Sequence, residues 1–166
     1  MLIEKTVKEL AQVLGDKLTN AGLIATTAES CTGGGVAYAI TEISGSSLWF
    51  DRSFVTYSNG AKTQMLGVDA GLIDEFGAVS KEVVNAMAIG AVKNSDADIA
   101  VAISGIAGPN GGSEEKPVGT VCIAWYNAHS GHKTETYLFV GDRFEVRTQA
   151  IRLAILGLID SIDMLG

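Results

Sequence analysis

Residues 29–35 read Glu-Ser-Cys-Thr-Gly-Gly-Gly and follow an apolar, β-prone run, 23–27. A hydroxyl and a thiol stand side by side where a strand ends, and glycines open the apolar-periodic segment after them. The free N–H groups of a helix's first turn point at such a spot, and the helix dipole favours negative charge there. A nucleophile at Ser30 would have an oxyanion hole nearby. Three readings fit the spacing. Ser30 is a nucleophile; or Ser30 or Thr32 only caps the helix, the glycines permitting tight helix–sheet packing; or the turn binds phosphate without catalysis. The pattern is neither Gly-x-Ser-x-Gly nor a Walker loop, because no Gly-Lys-Ser/Thr follows. Cys31 is a second nucleophile candidate, since a thiol at a helix N-terminus has a lowered pKa. Past an elbow at Ser30, however, it would point elsewhere.

The stretch FVTYSNGAKTQMLGV places Tyr57 and Lys62 five residues apart, around a helix cap at Ser58 or Asn59. Lys62 would lie in the first helical turn, the wrong end of the dipole for a cation. Partly buried there, it would have a lowered pKa, which a lysine general base requires. The plainer readings are a surface lysine and a core aromatic at Tyr57. A second glycine-rich loop, ISGIAGPNGGSEEKPVGT, follows another apolar run. Ser104, Gly105 and Gly108 would lie at a strand's carboxyl end, where open α/β sheets bind ligands. Residues 110–116 read as a mobile surface loop.

The elements that must carry these residues alternate. Leu2, Ile3, Val7, Leu10, Ala11, Leu14 and Leu18 recur at helical spacing, and Gly22 ends that helix. A strand over 23–27, a glycine-weakened helix over 32–43 and a strand over 52–57 follow. Short helices are expected over 60–66 and from an Asp69 cap to Gly77, then a longer one after Ser80. Residues 99–104 are nearly all apolar, as for a strand buried on both faces. Strands over 118–126 and 133–140 form a hairpin, the second with Lys133, Glu135 and Tyr137 outward. Asp142 and Glu145 form a capping box for a last helix with Phe144, Ile151, Ile155, Leu158 and Ile162 on one face. The expectation is an α/β fold: a three-layer α/β/α single domain, 1–166, with a mixed central sheet.

Composition narrows the class of function. A net charge of −7 over 166 residues argues against a nucleic-acid or anionic-membrane partner. No apolar run is long enough to span a bilayer, and the charged N-terminus is no signal peptide. Two cysteines, Cys31 and Cys122, are too few for a disulfide framework, and no spacing suggests a metal site. A cytoplasmic protein is expected. Low charge and 47% hydrophobic residues also predict a homodimer or higher homo-oligomer.

Five stretches, AESCTGGGVAYAIT, VTYSNGAKTQMLGV, FGAVSKEVVNAMA, AISGIAGPNGGSEEKPVGTV and FVGDRFEVRTQAI, together resemble the C-terminal domain of the competence/damage-inducible protein CinA. The resemblance runs in family order over about residues 5–160. The chain starts directly at the helix before TTAES, so it looks like the stand-alone form of that domain, a nicotinamide mononucleotide (NMN) deamidase. The resemblance implies a Ser/Lys amidohydrolase that converts NMN and water to nicotinic acid mononucleotide and ammonia, with no metal or organic cofactor. Carried onto this chain, Ser30 is the nucleophile, Lys62 the base and Tyr57 a third polar member. Amides of the turn Cys31, Thr32, Gly33 and Gly34 are expected to form the oxyanion hole. Ser104, where the family pattern has Thr, Gly105 and Gly108, with Arg143 or Arg147, are expected to hold ribose and phosphate. The rival expectation is a nucleotide-binding or interaction module of the same fold without catalysis.

Overall fold

The computed structural model describes residues 1–164. Five strands form one mixed sheet in the order β2-β1-β3-β4-β5. They are β1 (Ala25–Glu29), β2 (Phe50–Val55), β3 (Ile99–Gly105), β4 (Thr120–Asn127) and β5 (Gly131–Leu138). β1 pairs in parallel with β2 and β3; β3–β4 and β4–β5 are antiparallel. Helices α1 (Val7–Ala21), α2 (Gly35–Thr41) and α6 (Arg143–Asp163) cover one face. The other face carries α3 (Asn59–Leu66), α4 (Ala70–Phe76) and α5 (Lys81–Lys93). The expected three-layer α/β/α architecture is therefore observed. No helix among the described residues is long and apolar enough to cross a membrane.

Side-chain size sorts the two layers. Along β3 and β4, Ile99, Val101, Ile103, Val121, Ile123 and Trp125 pack with the α1/α2/α6 layer. The alternate positions Ala100, Ala102, Cys122 and Ala124 face the α5 layer. Strand alternation thus puts bulk on one face and small side chains on the other. The α3–α5 crossing is tight as well: a Cβ on Gly90 of α5 would lie 2.1 Å from the Leu66 carbonyl oxygen of α3.

Several expectations shift. The first strand runs over 25–29 rather than 23–27, since Gly22 caps α1 in the left-handed region at φ +67° and Leu23 still bonds back to Leu18. α2 begins at Gly35, not Thr32, because Gly33 and Gly34 take positive φ (+58° and +94°) and make residues 31–34 a turn. Leu2 and Ile3 fall in a separate 3-10 turn, Leu2–Glu4, before the Thr6 cap of α1. Tyr137 is not outward: it sits opposite Val121, packs on the α6-side core and stacks on Phe139 at 5.5 Å. Phe144 is outward instead, 73% exposed in the first turn of α6.

The topology fixes where a site can form. α2 links β1 to β2 across one face, while α3–α5 link β2 to β3 across the other. Crossovers on opposite faces open a crevice at the carboxyl ends of the parallel strands. Ser30 follows β1, Thr56 and Tyr57 follow β2, and Ser104 and Gly105 close β3.

Candidate active site

Two main-chain bonds hold Ser30 in place. Its N–H donates to the Ile103 carbonyl at 3.0 Å, and Thr56 N–H donates to the Glu29 carbonyl at 2.9 Å, so the sheet ladders run one step past β1 on both sides. Ser58 caps α3, its hydroxyl accepting from Ala61 N–H at 3.1 Å. Helical side chains lean toward the N-terminus of their helix. Lys62, the fourth residue of α3, therefore folds back over the segment that enters the helix. Its Nζ lies 3.1 Å from Ser30 Oγ, 2.9 Å from the Thr56 carbonyl, 3.3 Å from that of Tyr57 and 3.5 Å from that of Ser58.

Lys62 is 1% exposed and Ser30 is 8% exposed. Burial pushes the Lys62 amine below its usual 10.5. A neutral amine has two N–H bonds to give and one lone pair to accept with. Ser30 Oγ accepts from Lys62 Nζ, and its own hydroxyl reaches the Tyr57 carbonyl at 3.4 Å; a neutral amine whose N–H bonds go to the Thr56 and Tyr57 carbonyls accepts from that hydroxyl once it rotates toward Nζ. This arrangement can take a proton from Ser30.

A cleft of about 250 Å³ opens at this pair. Ser30, Cys31, Tyr57, Lys62, Ser104, Gly105 and Arg143, all expected site residues, line it. Ala107 joins the wall, and three further members, Asn59, Ala78 and Val79, carry no signal in the sequence that points to a site. Gly108 contributes its carbonyl, which accepts from Arg143 Nη1 at 2.8 Å. Among the described residues no group of three or more His, Cys, Asp or Glu could hold a metal ion.

Four expectations change in detail. The N-terminus of α2 does not face the cleft freely. Buried Glu29 takes it, accepting from Val36 N–H at 2.9 Å and Ala37 N–H at 3.1 Å, and from Thr32 Oγ1 at 2.7 Å. An oxyanion donor from this stretch then belongs to the 31–34 turn, of which Cys31 lines the cleft, whereas Thr32 is fully buried and Gly33 and Gly34 lie outside the wall. There Gly33 N–H is already given to the Ser30 carbonyl at 3.0 Å. Second, the Cys31 thiol is not activated: burial raises it to about 11 and outweighs the opposing pull of its own backbone N–H and Arg147. Third, Tyr57 meets the dyad through its main chain. Its phenol is at the rim, accepting from Arg143 Nη2 at 3.3 Å. Fourth, Arg147 is not in the cleft wall; its guanidinium donates to the carbonyls of Cys31 and Thr32.

The fold and cleft define an α/β protein with a buried serine–lysine pair at the carboxyl ends of its parallel strands. The family described as CinA C-terminal domain matches residues 7–162. The chain belongs to that family. It is 53% identical over 154 residues to the nicotinamide-nucleotide amidohydrolase PncC of Escherichia coli (strain K12), covering 93% of each chain. It is 52% identical over 153 residues to the protein of the same name from Pseudomonas putida, covering 92% of this chain and 95% of that one. Its fold matches the crystal structure of the competence/damage inducible protein CihA from Agrobacterium tumefaciens with a TM-score of 0.92, at 45% identity and over 95% of both chains.

Proposed function

We propose that this protein hydrolyses the carboxamide of nicotinamide mononucleotide, giving nicotinic acid mononucleotide and ammonia, with Ser30 as nucleophile and Lys62 as base. The observation that carries the proposal is the 3.1 Å contact between Ser30 Oγ and a lysine amine that burial drives toward its neutral form. The near full-length relatives named nicotinamide-nucleotide amidohydrolase support the substrate class.

Neutral Lys62 takes the Ser30 proton as Oγ bonds to the carboxamide carbon. The carbonyl oxygen becomes an oxyanion held by free amides of the 31–34 turn. The tetrahedral species collapses, the C–N bond breaks, and the nitrogen leaves as ammonia with the proton from Lys62. Water then attacks the acyl-enzyme and gives a proton to Lys62. Oγ regains that proton as the carboxylic acid is released, and the acid ionises to the carboxylate by giving its proton to ammonia, which becomes ammonium. The positive pyridinium ring withdraws electrons and makes the amide a better electrophile. Arg143, exposed at the rim of the cleft, would meet the anionic end of the substrate.

Ammonia release from NMN tests this. Ser30→Ala is expected to lose about 10³-fold or more in kcat, since nucleophile and base act as a unit. Cys31→Ala is expected to keep most activity, because its thiol is protonated at neutral pH. The reverse result would assign the chemistry to Cys31. NMN binding by calorimetry with no ammonia from the wild type would make the protein a nucleotide-binding module.

A further inference from the structure

Arg147 lies on α6, yet its partners are in the turn after β1. Nε donates to the Cys31 carbonyl at 3.0 Å and Nη2 to the Thr32 carbonyl at 3.3 Å. In a planar trans peptide the C=O and N–H bonds point in opposite directions. The Cys31 carbonyl shares its plane with Thr32 N–H, and the Thr32 carbonyl shares its plane with Gly33 N–H. Gly33 N–H is given to the Ser30 carbonyl at 3.0 Å, while Cys31 N–H and Thr32 N–H have no main-chain acceptor among the described residues; of these two residues Cys31 lines the cleft and Thr32 is fully buried. Arg147 thus pins both planes by their oxygens, and the Gly33 bond pins the Ser30–Cys31 plane before them, so Cys31 is held between fixed planes on both sides. Glu29 grips the same turn through Thr32 Oγ1. Such anchoring matters here, because Gly33 and Gly34 at positive φ give the turn little stiffness of its own.

We infer that Arg147 is a positioning residue for the amide hydrolysis: it fixes the 31–33 turn so that the N–H of Cys31, the turn residue that lines the cleft beside Ser30, serves the oxyanion, and it does not hold the substrate's phosphate. The inference rests on the amidohydrolase reading above. The cleft wall contains Arg143 but not Arg147, so the two arginines of DRFEVR divide their tasks. The Ser30 carbonyl, which shares its plane with Cys31 N–H, accepts from Gly33 N–H, and this bond polarises the amide and strengthens the Cys31 donor. The Arg147 charge reaches the turn: it is one of the influences that favour the anionic form of Cys31 against burial.

The test compares Arg147→Lys, Arg147→Gln and Arg147→Ala with the wild type, by ammonia release, NMN calorimetry and thermal melting. The expected result is a kcat loss of about 100-fold, the cost of a displaced oxyanion donor and the low end of that for a missing one. KM and NMN affinity should stay within about threefold of wild type, well short of the tenfold that one lost contact of about 1.4 kcal/mol costs. The lower pH limb of kcat should not move, because Lys62 is untouched. Lysine should restore activity only in part, since a point charge cannot hold two carbonyls as a planar fork does. Millimolar guanidinium should raise kcat of Arg147→Ala, which a loss of fold stability would not permit. If the alanine variant does not fold, the lysine and glutamine variants carry the comparison. A tenfold rise in KM with kcat retained would make Arg147 a substrate-holding residue and overturn the inference alone. Wild-type kcat in the glutamine variant would overturn it too. A wild type that releases no ammonia overturns the amidohydrolase reading and this inference with it.

Discussion

Burial and Cys31 pull the Lys62 amine in opposite directions. Near-complete removal from water disfavours the ammonium and lowers the amine against the opposing pull of Cys31, while three main-chain carbonyls lie within reach of its N–H bonds. A base works only unprotonated, so kcat is expected to rise with pH and level off above the Lys62 pKa. The midpoint of that limb should lie below the 10.5 of a free lysine. Lys62→Arg keeps the charge and cannot lose it near neutral pH. It is expected to be as inactive as Lys62→Ala while NMN still binds. An arginine variant with more than about a tenth of wild-type kcat, a barrier change under roughly 1.4 kcal/mol, would remove the base assignment. Ser30 and Lys62 are legible in the sequence because each carries a local signal: a strand end before glycines, and a cap at Ser58. The part played by Glu29 is not legible, since nothing local says that its carboxylate takes the N-terminus of α2. Nor is the Arg147 contact, whose partner is 116 residues away.

At the scale of elements, the dyad depends on how α3 sits on α5. Lys62 and Leu66 are one turn apart on α3, and the Leu66 carbonyl occupies the space beside Gly90. A Cβ at Gly90 would come within 2.1 Å of that oxygen, so the two helices must part. Gly90→Ala is expected to destabilise by about 1–3 kcal/mol, the usual cost of overpacking. The same shift should carry Lys62 away from Ser30 and lower kcat by about tenfold or more in protein that is still folded. Melting temperature and kcat measured on one preparation check this; a destabilised variant with wild-type kcat would show that the dyad tolerates movement of α3. The order of strands and main helices is legible, because caps and periodicity are local: Ser58, Asp69, Ser80 and Asp142 each cap a helix as their types suggest, whereas the Thr6 cap, which cuts Leu2 and Ile3 off from α1, is not legible in the helical spacing. Which face of β5 packs is not legible, since Thr134, Thr136 and Leu138 alternate with Lys133, Glu135 and Tyr137 without a clear apolar side. The register with β4 decides it, placing Tyr137 opposite Val121 on the α6 face. Phe144 joins the apolar periodicity of α6, yet it belongs to the helix's first turn and stays exposed.

For the molecule as a whole, the question is whether the two layers fold as one. They pack on opposite faces of one sheet five strands wide, and the cleft is built from loops fed by both sides. Ser30 and the 31–34 turn lead into α2 on one face; Lys62 comes from α3 on the other. If the layers came apart separately, the dyad would be lost at the first step. Trp49 and Trp125 both belong to the α1/α2/α6 core, so tryptophan fluorescence reports that layer. Met87 is fully buried in the opposite core. Met87→Ala should cost about 2–5 kcal/mol from lost burial and the cavity left behind. In a chain of this length that lowers the melting temperature by roughly 5–15 °C. Cooperative unfolding requires the tryptophan signal, though it comes from the far side of the sheet, to shift by the same amount as far-ultraviolet circular dichroism. Ammonia release should vanish at that same midpoint. A fluorescence transition left at the wild-type temperature, with the dichroism transition moved or split, would show two independently folding layers. The serine–lysine pair would then depend on the weaker one.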